Sequence, residues 1–179
     1  MISTERRQSL PCDAVVGIAE SFRAALRRLV AGVTIVSVAV EKRHGVTATA
    51  VMPVSMAPPS IVVAINRDAS IHDALRRASR FCVNILSVAQ EDESRIFSDP
   101  TARERRFTTP DWQSSEDGVP FLAGVQANIF CEHAQILTFG THSLFIGRVY
   151  RVTSDTARAG LLYMNGQYLT AQTLASGPA

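Results

Sequence analysis

Lysine is almost absent from this sequence: Lys42 is the only one, and every other basic side chain apart from histidine is arginine. A chain-wide preference for arginine is a compositional habit of many genomes, so the neighbours of each arginine decide whether it binds a ligand. The formal net charge is only +2 over 179 residues. This charge is too small to predict binding to nucleic acid or to an anionic membrane.

Cysteine is also scarce. Cys12, Cys82 and Cys131 are odd in number and widely spaced, so they predict neither a disulfide framework nor a zinc knuckle. No apolar run reaches membrane-spanning length, and AVVGIA near the start is too short for the core of a signal peptide. The sequence therefore predicts a soluble protein of the reducing cytoplasm, without a nucleic-acid or membrane partner.

Familiar catalytic motifs are missing as well. The sequence contains no G-x-G-x-x-G, Walker loop, H-E-x-x-H or G-x-S-x-G, which argues against nucleotide-fold enzymes, zinc proteases and serine hydrolases. Cys131 and His133 are the one pair of potential metal ligands on a single strand face, and two ligands are too few for a metal site. We therefore expect no metal.

The length and an apolar content of 46% fit one domain with a substantial core. We predict a flexible N-terminal arm over residues 1–17, a domain over residues 18–170 and a C-terminal tail over residues 171–179. Many strands with few, short helices predict a β-rich α+β fold, an antiparallel barrel with peripheral helices.

Local patterns predict the individual elements. An amphipathic helix is expected over residues 18–32, a short helix capped by Ser70 follows, and a capping box from Ser87 to Gln90 begins a helix ending near Phe97. An arginine-rich loop containing Trp112 precedes the longest strands. Strands are expected at residues 33–40, 45–51, 61–66, 81–86, 125–137 and 142–152, with a short pair around Tyr163 and Tyr168.

Two neighbouring segments together predict a ligand site. The strand GVTATA, residues 45–50, carries only small side chains, so a flat ring can reach its backbone amides. In INRDAS, residues 65–70, an arginine follows a strand end and Ser70 opens a helix, a combination that favours a bound anion. A flavin, which has a flat ring and a phosphate tail, fits both features.

Five segments follow one another along the chain: GVTATAVMPVSMAPPSIVVAINRDAS, FCVNILSVAQ, ERRF, GTHSLFIGRV and YMNGQYL. Their order resembles the flavin reductase family, the small reductase components of two-component flavin monooxygenases, with the FMN-binding split-barrel fold. The resemblance covers about residues 20–170. It implies a homodimer with FMN or FAD near the subunit interface, reduced by NADH or NADPH.

The resemblance also implies roles by position, with His142 on the nicotinamide side of the flavin and the other residues in contact with the cofactor. The implied cofactor-binding residues are Thr47, Ala48, Thr49, Ala50, Asn66, Arg67, Ser70, Asn84, Arg106 and Phe107.

One departure concerns His142. The family commonly has an acidic residue immediately before this histidine, whereas this sequence has Thr141. A carboxylate there would favour the imidazolium form of the histidine, and a threonine does not provide that charge. The partner of His142 is therefore left open by the sequence.

Three readings of function follow. The first is an NAD(P)H-dependent reductase that supplies reduced flavin to a partner monooxygenase. The second retains its flavin and reduces another acceptor, such as a cobalt(II) corrinoid in cobalamin biosynthesis, because the family includes members that resemble corrinoid reductases. Thr141 and the arginine-rich loop from Arg103 to Arg106 leave room for such a bulky anionic acceptor. The third is a non-catalytic flavin- or haem-binding protein on the same fold.

Overall fold

The computed structural model describes residues 12–172, and side chains from residue 17 onward. The predicted arm therefore lies mostly outside the described residues, as does the predicted tail beyond residue 172. Within the described range, no helix is both long enough and apolar enough to cross a bilayer.

A seven-stranded antiparallel sheet forms most of the fold, and two smaller antiparallel sheets accompany it. The strands are β1 (Ala31–Gly32), β2 (Thr34–Ala39), β3 (Arg43–Ala48), β4 (Val51–Met56), β5 (Pro59–Asn66), β6 (Arg80–Ile85), β7 (Trp112–Ser114), β8 (Pro120–Leu122), β9 (Ala127–Phe139), β10 (His142–Ser154), β11 (Leu161–Met164) and β12 (Gln167–Thr170). The order in the large sheet is β3-β2-β6-β9-β10-β5-β4, while β1 joins β11 and β12, and β7 pairs with β8. The β-rich α+β prediction is confirmed.

Residues 12–172 contain three α-helices. They are α1 (Cys12–Leu26), α2 (His72–Arg77) and α3 (Glu91–Ser98). The predicted capping box is present: the Ser87 side chain pairs with the Gln90 backbone, and Gln90 Oε1 accepts a hydrogen bond from the Ser87 N–H at 3.0 Å. The Ser87 hydroxyl also donates to Gln90 Oε1 at 2.7 Å. The capping box begins a short 3₁₀ turn that leads directly into α3.

The hydrophobic core lies inside the large sheet and beneath the helices. Phe81, Phe145, Ile71 and Leu75 are fully buried in its main cluster, so α2 closes one end of the sheet. A second cluster joins α3 to the small sheets, through the side chains of Phe97, Trp112, Leu122 and Leu161. Chain segments far apart in sequence thereby fix the surfaces on which the site is built.

Four sequence predictions are corrected here. First, α1 begins at Cys12, inside the predicted arm, and ends at Leu26 rather than at Gly32, because residues 27–29 form a turn and Gly32 lies in β1. Its apolar stripe is also exposed: Phe22 retains 62% of its accessible surface. Within residues 17–172 no side chain covers this stripe.

Second, Ser70 does not cap α2: the N-cap residue is Ile71, and no side chain accepts a hydrogen bond there. With only six residues, α2 also has a weak dipole. Third, the strand predicted over residues 45–51 is interrupted, since Thr49 and Ala50 belong to neither β3 nor β4. Fourth, the arginine-rich loop contains β7 and β8, which are too short to leave a periodic pattern.

Candidate functional site

The break between β3 and β4 leaves Thr49 and Ala50 exposed. The Ala50 carbonyl accepts a hydrogen bond from the Ala64 N–H at 2.9 Å, which aligns the start of β4 beside β5. Both residues border a cavity of about 370 Å³ between α1 and the β11–β12 hairpin. Arg23 and Tyr163 line the opposite side of this cavity, which we call the break cavity.

The two preceding residues turn toward the protein instead. The Thr47 hydroxyl donates to the Ser94 carbonyl of α3 at 2.7 Å, and the buried Ala48 accepts a hydrogen bond from the Thr34 hydroxyl at 2.7 Å. Their hydrogen bonds fix the end of β3 against the core. Of the four predicted residues on this strand, Thr49 and Ala50 are thus the two that face open space.

A second cavity, of about 300 Å³, lies between the β2–β3 hairpin and the segment after α3. We call it the basic cavity, because cationic side chains line it and, among the described residues, no carboxylate does. Its lining residues are Lys42, Arg43, His44, Gly45, Ser70, Arg103, Arg106 and Phe107.

Positive charge in the basic cavity is only partly compensated. Burial lowers the pKa of Arg106, and the nearby Arg103 lowers it further, while Asp99 opposes the shift. Burial likewise lowers the pKa of His44, with repulsion from Lys42 adding to the effect. Cations that disfavour one another in this way create a local field that attracts an anion.

Arg106 mainly holds the wall of the basic cavity together. Its guanidinium donates to the backbone carbonyls of Gly45 at 3.0 Å and Asp99 at 2.9 Å, and more weakly to Ile96 at 3.4 Å. Phe107 has a left-handed backbone, with φ of 63°. Its ring packs against Trp112 at 4.6 Å between centroids, so this pair shapes the cavity.

Gly45 has a packing reason to be glycine. A Cβ at this position would lie 2.5 Å from a ring carbon of Phe97, so any side chain would collide with the core. The GVTATA segment therefore begins at a glycine required by close packing.

A third cavity, of about 520 Å³, lies between α2 and the β9–β10 hairpin. We call it the hairpin cavity. It is lined by Arg67, Asp68, His72, Asp73, Arg76, Thr138, Gly140, Thr141 and Ser143. Arg67 and Ser70, predicted to hold one anion together, thus line different cavities.

His142 is exposed at the first position of β10, next to the hairpin cavity. Its Nδ1 lies 2.9 Å from the Thr141 hydroxyl, so Thr141 supplies the partner that the sequence left open. Across the strand pair His142 faces Asn66, whose side-chain oxygen accepts a hydrogen bond from the Asp68 N–H at 3.0 Å. Asn66 therefore shapes the loop that carries Arg67.

Asn84 is fully buried and its hydrogen bonds are made inside the protein. Its side-chain NH₂ donates to the Ile35 carbonyl at 2.7 Å and to the Ser37 hydroxyl at 2.9 Å. Its oxygen accepts hydrogen bonds from the Leu122 N–H at 2.8 Å and from Asn128 at 2.9 Å. The structure thus places Asn84 in a structural network, apart from the three cavities described above.

The structure groups the predicted residues in three places. Ser70, Arg106 and Phe107 share the basic cavity, Thr49 and Ala50 share the break cavity, and Arg67 lines the hairpin cavity beside His142. Sequence reasoning missed Lys42 and Arg43, and it connected Arg103, in the loop from Arg103 to Arg106, only with an anionic electron acceptor. The one signal available was that Lys42 is the single lysine, but nothing local tied it to Ser70.

The chain belongs to the flavin reductase family: the family described as "Flavin reductase like domain" matches residues 26–172. The antiparallel fold and the three cavities described above are therefore those of a flavin reductase-like protein.

Among curated proteins, the chain is 36% identical over 158 residues to the reductase component of an FADH(2)-dependent resorcinol hydroxylase from Rhizobium sp., covering 87% of this chain and 88% of the relative. It is 33% identical over 140 residues to an NADH-dependent FAD reductase from Streptomyces globisporus, covering 76% and 77% of the two chains. Among solved structures, the NADH:FAD oxidoreductase SgcE6 of Streptomyces globisporus C-1027, in complex with NAD and FAD fragments, has a TM-score of 0.81 at 30% identity. The match covers 96% of this chain and all of that one.

Proposed function

We propose that this protein is an NADH-dependent flavin reductase that supplies reduced FMN or FAD to a separate monooxygenase. The observation that carries the proposal is a family match over most of the chain, combined with an open strand break close to a cation-lined cavity. NADPH is the alternative reductant. The relatives named above are reductases of this kind.

The residues present fit a flavin. At the break cavity, Thr49 and Ala50 offer small side chains and exposed backbone, so a flat ring meets little steric resistance there. When bound, the flavin accepts a hydride from the nicotinamide, and the protein needs no nucleophilic side chain. The chain's own task is to hold the two rings in contact and to keep their reacting faces aligned.

The basic cavity fits the phosphate end of the cofactor. Lys42 and Arg103 have no ion-pair partner among the described residues, whereas Arg106 is engaged by carbonyl oxygens. Lys42 and Arg103 therefore supply free positive charge, and the Ser70 hydroxyl supplies a hydrogen-bond donor. A phosphate accepts both kinds of interaction.

The hairpin cavity fits the reductant side. Arg67 contributes a guanidinium there, Thr141 contributes a hydroxyl, and His142 stands exposed beside them. In this proposal His142 orients the nicotinamide toward the flavin. Arg67, expected from the sequence to bind the flavin phosphate, is assigned in this proposal to the nicotinamide nucleotide.

We also propose a homodimer. Strand β4 ends the order of the large sheet, and its Met52, Val54 and Met56 are 60, 49 and 83% exposed. They adjoin an apolar cavity of about 410 Å³ that β5 and β10 help to line. Apolar edge strands favour association, and a second copy of the chain would cover this one. Sedimentation should give a dimer that Met56→Glu weakens.

Steady-state NADH oxidation tests the main proposal. Addition of free FMN or FAD should stimulate NADH oxidation many-fold, and the reduced flavin should pass to a monooxygenase through solution. The corrinoid alternative instead requires NADH oxidation coupled to a cobalt(II) corrinoid under anaerobic conditions. Flavin binding without NADH oxidation would favour the non-catalytic reading and contradict this proposal.

Flavin titration tests the division of the site. Ser70→Ala and Arg103→Gln should weaken FMN binding by about tenfold each, as expected for the loss of a charge-assisted contact. Riboflavin, which has no phosphate, should bind both variants as it binds the parent. Arg67→Ala should mainly raise the KM for NADH. Equal losses for FMN and riboflavin would contradict the phosphate assignment.

Chemical modification of the single lysine tests directly whether the phosphate binds near it. Because Lys42 is the one lysine side chain, acylation by an amine-reactive reagent can be read by peptide mass spectrometry, with the N-terminal amine as internal control. Saturating FMN should slow acylation of Lys42, and riboflavin should not. The same protection by both compounds would place the phosphate elsewhere.

A further inference from the structure

A buried histidine connects α2 to the hairpin that carries His142. His72 is the first residue of α2 and only 6% exposed. Its Nε2 lies 2.9 Å from the Ser143 hydroxyl, and its ring packs edge-on against Phe145 at 5.6 Å between centroids. The exposed Asp73 carboxylate lies 3.4 Å from its Nδ1, on the side that faces the hairpin cavity.

Ser143 connects the His72 hydrogen bond to His142. It follows His142 directly and is 1% exposed, between Ile65 of β5 and Thr138 of β9. Its hydroxyl also lies 3.3 Å from the Thr138 hydroxyl. Because side chains alternate along a strand, an inward Ser143 requires an outward His142.

A backbone contact holds the same turn from the other side. The Arg67 N–H donates to the Thr141 carbonyl at 2.9 Å, so the loop after β5 is hydrogen-bonded to the residue before His142. Thr141 and Ser143, the two neighbours of His142, are therefore each tied to the segment between Arg67 and His72. The position of His142 depends on both ties.

We propose that His72 is a positioning residue for hydride transfer: by its hydrogen bond to Ser143 it sets the orientation of His142 toward the nicotinamide. The inference rests on the proposed function, since it assumes that His142 meets the reductant. Because His72 is only 6% exposed, the proposed role does not require it to touch the reacting atoms. It acts through β10, and a displacement well under 1 Å at His142 is enough to slow a reaction that depends on ring alignment.

A partly buried histidine whose ring nitrogens are inaccessible to solvent provides the matched control. His133 packs on the same Phe145 ring, at 5.7 Å between centroids, yet neither of its ring nitrogens forms a hydrogen bond within the described residues. A histidine that serves packing alone should resemble His133. The two residues therefore separate loss of the hydrogen bond from loss of core contacts around Phe145.

The experiment compares His72→Leu, His72→Gln and His133→Leu. Glutamine places its amide nitrogen near the position of the histidine Nε2, so His72→Gln can keep the bond to Ser143. We expect His72→Leu to lower the anaerobic rate of flavin reduction by NADH about tenfold with FMN affinity unchanged. His72→Gln should recover most of that rate, and His133→Leu should leave it unchanged.

A spectroscopic readout follows His142 without turnover. With four histidines in the chain, the imidazole signals of the ¹⁵N-labelled protein can be assigned by single substitutions. His72→Leu and Ser143→Ala should both shift or broaden the His142 signal, and the double variant should add nothing further. His133→Leu should leave that signal in place.

The outcomes separate the two claims. If the parent does not reduce flavin with NADH, the proposed function fails. If the parent is active, and His72→Leu changes neither the reduction rate nor the His142 signal, His72 is a packing residue and the inference is overturned. It is also overturned if His133→Leu slows flavin reduction as much as His72→Leu.

Discussion

The Asn84 network and the basic cavity are both polar regions, but they differ in how far their polar groups find partners inside the chain. Asn84 uses its amide nitrogen and its oxygen on four partners inside the chain. The basic cavity has a volume of about 300 Å³, and cations line it without a carboxylate from the described part of the chain. The first region is complete without a ligand, and the second is not.

This difference separates structural from ligand-binding polar residues more clearly than residue type does. An asparagine and an arginine both match positions implied by the family resemblance, yet Asn84 is enclosed and Arg106 holds backbone carbonyls. The free charge lies on neighbours such as Lys42 and Arg103. Groups that a fold leaves uncompensated are the ones available to a partner.

The largest expected effect comes from opening the enclosed region. Asn84→Ala should lower the free energy of unfolding by about 3 to 5 kcal/mol, because it leaves the Leu122 N–H, the Asn128 amide and the Ile35 carbonyl without their partner in a buried site. Urea unfolding measures the loss. Gln113→Ala, which truncates an exposed amide on β7, should change stability by less than about 0.5 kcal/mol.

Flavin affinity of the same variant sharpens the comparison. The family resemblance implies that Asn84 touches the cofactor, whereas its burial assigns it to the scaffold. Under conditions where Asn84→Ala remains folded, FMN should bind as it does to the parent. A normal unfolding curve with lost flavin affinity would reverse the assignment.

The next largest effect is on the reaction rate and concerns His142, which is exposed to solvent as the basic cavity is. His142→Ala should slow reduction of bound flavin by about tenfold to a thousandfold, as is typical for one positioned hydrogen bond at a reacting centre. Stability should scarcely change, since the ring is exposed. Stopped-flow reduction by NADH measures the rate, and an unchanged rate would make His142 a strand residue without a role in the reaction.

Thr141→Asp should change the pH dependence of that same step. A carboxylate beside His142 favours the imidazolium, so the pH profile of the reduction rate should move to higher pH. Thr141→Ser is the control, because it keeps the hydroxyl that now lies 2.9 Å from His142 Nδ1. Thr141→Ser should therefore leave the pH profile of the reduction rate in place. If Thr141→Asp also leaves it in place, this histidine does not titrate in the reaction.

Sequence reasoning recovered elements whose cause is local. The long strands β9 and β10, the buried strand β6 and the capping box before α3 all follow from periodicity or from contacts within four residues. The break in the strand at Thr49 and Ala50 could not be predicted from periodicity or from local contacts. The small side chains there fit a continuous strand equally well, and it is pairing with β5 that starts β4 at Val51.

The site was harder to predict because its members meet through tertiary structure. Ser70 and Lys42 share a cavity although they lie on different hairpins and loops, while Arg67, three residues from Ser70, faces another cavity. Sequence proximity suggested one anion site in that loop. Strand order decides such groupings, and the order of seven antiparallel strands is not encoded in any local pattern.

A smaller effect is expected from His133, a partly buried polar group between the two extremes. Burial lowers its pKa. The unfolded chain therefore binds the proton first as pH falls, so stability is present above the ordinary value of 6.5 and is lost below it. His133→Leu should flatten the decline in unfolding free energy between about pH 7.5 and 5. The same decline in both proteins would assign it to other groups.

The smallest effect is expected from the buried thiols. Burial raises the pKa of Cys131 to about 12 and that of Cys82 well above its usual range, so neither forms a thiolate at neutral pH. Both are enclosed by the sheet, as Asn84 is, but they carry no charge for a ligand to compensate. Cys82→Ala with Cys131→Ala should therefore leave NADH oxidation with added flavin within about twofold of the parent, at a cost in stability alone. Adding Cys12→Ala extends the test to all three cysteines. A variant that binds FMN normally but no longer oxidises NADH would show that a thiol takes part in electron transfer. Burial inside the chain would then not distinguish structural residues from functional ones in this protein.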